Sequence, residues 1–157
     1  MFAIGDKIVY PMHGAGIIAG IEEKVILGES REYYIVDVTS EDMQIMVPVD
    51  TSDLVGVRPI VDNAAVDAAL EVLKAASGDM DPNWNRRYRE NMEKIKTGEI
   101  SKVAEVVRDL VRSEQVKKLS AGEKKLMQNA YQILLGEIVL VKNISKQEAE
   151  KLIDEAI

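Results

Sequence analysis

The stretch Asn83-Trp84-Asn85-Arg86-Arg87-Tyr88-Arg89 carries the most chemistry in the chain, with the single tryptophan and three arginines falling within six residues. An arginine fork presents several donors in one plane and is weakly hydrated, which suits it to phosphate oxygens. A large ring beside such forks can lodge against an exposed base step while the arginines hold the backbone. A plainer reading exists. Trp84, Tyr88, Met92 and Ile95 recur at helical spacing, so they would share one apolar helix face, with Trp84 in the core and the arginines simply solvated. Trp84 stands at the end of that stripe, and spacing alone leaves both readings open.

Other candidates are weaker. Gly14-Ala15-Gly16-Ile17-Ile18-Ala19 spells G-x-G-x-x-A, but a pyrophosphate loop needs a helix N-terminus behind it, and the residues after this one are strand-like and β-branched. His13 is the only histidine and there are no cysteines, which excludes disulfides, thiolate sites and multi-histidine metal sites. Glu22-Glu23 and Glu41-Asp42 sit in strand and turn contexts, where solvated faces explain them. No set of residues fills the roles of nucleophile, base and oxyanion donor, so the expectation is a non-enzyme with no catalytic residues, metal or cofactor.

Charge separates along the chain. Residues 1–60 have a net charge of −6, residues 61–83 of −4, residues 84–125 of +5 and residues 126–157 of −2, for a total of −7. A basic block inside an acidic chain is a candidate footprint for phosphates. Beyond the arginines it includes Lys94, Lys96, Lys102, Arg108, Arg112, Lys117, Lys118, Lys124 and Lys125, with Glu105, Asp109, Glu114 and Glu123 interleaved as ion-pair partners. The Lys117-Lys118 and Lys124-Lys125 pairs flank a helix start and could reach phosphates. The start of the chain lacks a signal-peptide pattern, and no apolar run reaches membrane-spanning length. A cytoplasmic protein with no membrane partner is expected, and a monomer.

Two kinds of element must position these residues. Strands are expected at Lys7–Tyr10, Ala15–Val25, Glu32–Val38, Gln44–Pro48 and Gly56–Pro59, joined by tight turns, which points to a small, strongly bent barrel of the SH3 or Tudor type. From Asp62 the period becomes helical. Helices are expected over Ala65–Ala76, over Asn83–Lys96 with Asp81-Pro82 as its cap, and then along Ile100, Val103, Val107, Leu110 and Val111. Ser120-Ala121-Gly122-Glu123 and Ser145-Lys146-Gln147-Glu148 read as capping boxes opening the last two. The expected fold is α+β in two domains: a barrel over residues 1–60 and a bundle of about five helices over residues 61–157.

Gly5-Asp6-Lys7-Ile8-Val9-Tyr10-Pro11-Met12-His13-Gly14-Ala15-Gly16 resembles the opening of the CarD/CdnL family of bacterial transcription regulators. The resemblance continues through Asn83 to Tyr88, Lys102 to Leu110 and Leu119 to Lys124, four blocks in the family's order. It implies a Tudor-like domain that binds the RNA polymerase β subunit, largely through a strand edge. It also implies a helical domain that touches promoter DNA at the upstream edge of the transcription bubble, where a tryptophan wedges into the minor groove. Carried over by position, the wedge is Trp84. Arg86, Arg87 and Arg89 match the adjoining basic cluster, and Lys124 and Lys125 from the basic block complete the expected DNA set. On the polymerase face, Lys24 falls at a basic position, and Met46 stands where some members carry arginine. The rival implication is an adaptor that binds polymerase with no direct DNA role.

Overall fold

The computed structural model describes residues 1–78 and 80–157. Five strands come first: β1 (Lys7–Tyr10), β2 (Gly14–Ile26), β3 (Glu29–Val38), β4 (Met43–Pro48) and β5 (Arg58–Pro59). Five helices follow: α1 (Asn63–Lys74), α2 (Trp84–Lys96), α3 (Ile100–Val116), α4 (Ala121–Lys142) and α5 (Lys146–Ala156). All strand pairs are antiparallel, so the architecture is α+β. Among the described residues no helix is long and apolar enough to cross a membrane.

The strand pattern obeys local chemistry. β2 and β3 form a long hairpin through Leu27 and Gly28, both at positive φ, with Ile26 opposite Glu29. That two-residue turn has the twist that right-handed strands require. A register shift between Ile18 and Gly20 bends β2, letting its first half pair with β1 and its second half run out beside β3. At Gly16 a side chain has no room, since a Cβ would stand 2.6 Å from the Asp37 carbonyl oxygen.

The expected closed barrel does not form. The sheet runs β4-β3-β2-β1-β5, and its two outer strands do not pair with each other. β5 is two residues long and one of them is Pro59, which has no N–H for a ladder, so it offers almost nothing for β4 to meet. β4 therefore keeps a bare outer edge, with Met43 and Met46 exposed on it. Inside the bend, Ile8, Ile18, Tyr34, Val36, Val47 and Val57 pack together, and the Tyr34 hydroxyl accepts a hydrogen bond from the Phe2 N–H.

The helices pack around α4. Leu73 of α1, Ile95 of α2, Leu110 of α3, Leu134 and Ile138 of α4 and Ile153 of α5 share one core. Every residue from Ile133 to Ile138 is buried, because α4 is covered by helices on one side and by β2 on the other. Val9, Ala15 and Leu140 make a small cluster at that seam. Beside it Arg58 donates to both carboxylate oxygens of Glu137 at 2.8 Å and to the Gly98 carbonyl, and the Val61 N–H also donates to Glu137.

Part of the basic block is used internally. Arg108 donates to the Val72 carbonyl and to Asp109, and Arg112 donates to the Leu73 and Ala75 carbonyls. These carbonyls lie at the end of α1, where helical N–H donors run out and Val72 keeps only the Ala75 N–H at 3.2 Å, so both arginines act as C-terminal caps.

Candidate nucleic-acid interface

The cap of α2 differs from expectation. Asn83, not Asp81, closes the helix: its side-chain oxygen accepts from the N–H groups of Asn85 and Arg86 at 3.0 and 3.3 Å. The Asp81 carboxylate is occupied one step earlier, accepting from the Asn83 N–H at 2.8 Å, while Arg86 pairs with its other oxygen at 3.4 Å. Helix α2 therefore starts at Trp84, directly after a doubly anchored turn.

The apolar stripe enters the core only from its second turn. Ile95 is 1% exposed and Tyr88 and Met92 are half-buried, whereas Trp84 is 56% exposed. Of the two readings that spacing left open for this ring, the structure places it outside the core. It lines a concavity of about 510 Å³ between the start of α2 and the α3–α4 connection. Val116, Lys117 and Lys118 line it too, with Val116 exposed, and so do Arg87 and Glu123.

The predicted basic residues do not all gather here. Arg86 and Arg89 are exposed on the first turns of α2. Arg87 turns inward: its Nε and Nη2 donate to Glu123 Oε2 and Oε1 at 2.9 and 2.8 Å, and its Nη1 donates to the Asp81 carbonyl. Glu123 is 3% exposed, and Arg87 holds its carboxyl below the usual carboxylate range, against the upward push of burial. Ser120 caps α4 as expected, accepting from the Glu123 N–H, but the Glu123 carboxylate answers Arg87 rather than closing the capping box. Lys124 lies 3.6 Å from Glu114. Lys125 faces a separate groove with Tyr88, Met92 and Ser40. Lys117 and Lys118 line the concavity with Trp84, whereas sequence reasoning offered them as phosphate contacts flanking a helix cap without placing them beside this ring. The missing signal was the path of the α3–α4 connection past the start of α2.

On the sheet, Lys24 is exposed on the outer part of β2 and lies 3.1 Å from Glu22. Met46 is exposed on β4, with β3 between the two. Among the described residues the β4 backbone pairs only with β3.

Two family models match the chain in order. The one described as CarD-like/TRCF RID domain matches residues 2–61, and the one described as CarD, C-terminal domain matches residues 68–154. A Bacillus subtilis (strain 168) protein, YdeB, whose name marks it as a candidate transcription factor, is 43% identical over 148 residues. The match covers 94% of this chain and 97% of that protein.

Proposed function

Because this chain belongs to the CarD family, we propose that it is a transcription regulator that binds the RNA polymerase β subunit and stabilises open promoter complexes. The observation that carries this reading is Trp84, a large apolar ring left exposed at the start of an anchored helix and lining one concavity with the Lys117-Lys118 pair. A solvated indole at a rigid position is suited to enter a widened minor groove at an unstacked step. Lys117, Lys118, Arg86 and Arg89 then meet the flanking phosphates, with Lys124 and Lys125 further along α4.

The sheet serves the polymerase. Its bare β4 edge can accept an extended strand from a partner, with Met46 packing beside it and Lys24 reaching acidic groups on the same side. Residues 1–60 carry a net −6, so DNA is repelled from this face and a protein is the better partner. DNA contact alone is weak: each phosphate contact steepens the salt dependence of log K by about 0.9, and three to five of them give little affinity at physiological salt. Binding polymerase raises the local concentration of the helical half to roughly millimolar, where a weak contact suffices.

The test is a promoter fragment carrying 2-aminopurine at the upstream edge of the bubble, assembled with bacterial RNA polymerase. Addition of the protein raises the probe's fluorescence as the step unstacks, and Trp84→Ala abolishes the rise while still binding polymerase. No rise with polymerase-bound wild type contradicts a DNA role and leaves an adaptor.

A further inference from the structure

Arg87 lies in the basic cluster beside Trp84, and its position invites assignment as a phosphate contact. Its geometry is that of a different role. Three of its N–H groups are committed within the protein, two to Glu123 and one to the Asp81 carbonyl. Its side chain is 21% exposed and that of Glu123 is 4% exposed. The pair is neutral as a unit, so it displaces no counterions from DNA.

What the pair does hold is the approach to Trp84. Asp81, fixed through its carbonyl by Arg87, accepts from the Asn83 N–H, and Asn83 caps the helix that Trp84 opens. Glu123 is in the first turn of α4, itself capped by Ser120, so the anchor lies on the helix whose later turns are buried between the other helices and β2. Resting on the function proposed above, we infer that Arg87 and Glu123 are positioning residues that lock the start of α2 to the start of α4 and fix the direction of the Trp84 ring, and that Arg87 is not a phosphate ligand. A bidentate carboxylate suits this task because it fixes orientation as well as distance.

The two roles predict opposite signs. In Glu123→Gln, a phosphate-binding Arg87 is freed from its carboxylate, and open complexes live longer. A positioning pair loses one charged arm, and their lifetime falls by about fivefold, the equivalent of one charge-assisted hydrogen bond weakened. The salt slope stays that of wild type, whereas Lys117→Ala lowers it by about 0.9. Arg87→Lys separates the roles again, since a lysine keeps the charge for a phosphate but cannot fork onto Glu123. In a Trp84→Ala background neither substitution has further effect. An unchanged or longer lifetime in Glu123→Gln, or a wild-type lifetime in Arg87→Lys, overturns the inference. If wild type itself gives no lengthening, the proposed function fails, and the fluorescence anisotropy decay of the single tryptophan in free protein decides the positioning claim. Faster ring motion in Glu123→Gln with unchanged circular dichroism supports it, and identical decay overturns it.

Discussion

At neutral pH the Glu123 carboxylate is ionised beneath Arg87, and its pKa is depressed chiefly by the hydrogen bonds it accepts from that guanidinium. A carboxyl with a folded pKa below its unfolded value adds stability above the unfolded value of about 4.3 and loses it as pH falls through the folded one. Glu123→Gln is therefore expected to be less stable than wild type by about 1–3 kcal/mol at pH 7. The gap narrows as pH falls below about 4, where the wild-type carboxyl also becomes neutral. Urea unfolding at both pH values checks this, and a gap independent of pH contradicts it. The same scale shows how much the letters reveal. Trp84 and its arginines stand out by type, but exposure does not, because a helical stripe says which side faces the core and not where the core ends. Arg87 misleads for a related reason: its partner lies 36 residues away, and proximity in sequence to Arg86 and Arg89 says nothing of a fold that turns one guanidinium inward.

Among the elements, the long β2–β3 hairpin carries a local conflict. Leu27 occupies the first turn position at φ 52° and is 99% exposed, so its β-carbon incurs a steric cost with no packing in return. Asparagine tolerates that conformation far better. Leu27→Asn should gain up to about 1 kcal/mol, seen as a raised thermal midpoint, and a fall would show that the leucine packs against something. Alternating apolar residues and turn glycines place all five strands and the helical half within a few residues. Two features escape them. Closure of the sheet depends on whether β5 is long enough to meet β4, which composition cannot tell. Asp-Pro is a strong start signal and points to Asp81 as the α2 cap, whereas the Asn83 side chain reaches two N–H groups at once.

At the level of the whole molecule, a sheet proposed to hold polymerase and a helical half proposed to hold DNA can cooperate only if their relative orientation is fixed. Arg58 and Glu137 do that across 79 residues of chain, with Glu137 2% exposed and supported by the Val61 N–H. No sequence pattern announces such a pair. Removing Arg58 leaves a carboxylate buried without its partner, so Arg58→Ala should cost about 3 kcal/mol in chemical denaturation, at the low end of the usual range because the arginine is partly solvated. It should also shorten open complexes while leaving affinity for polymerase alone unchanged. Loss of both together would mean the sheet had unfolded.

The most direct test of the wedge is the lifetime of an open complex after competitor challenge, measured with bacterial RNA polymerase alone, with wild-type protein and with Trp84→Ala. Replacing an exposed ring changes stability by no more than about 0.5 kcal/mol, so the variant remains folded. The expected result is a longer lifetime with wild type and a return to the polymerase-alone value with Trp84→Ala at equal polymerase occupancy. A Trp84→Ala complex as long-lived as the wild-type one would contradict the wedge.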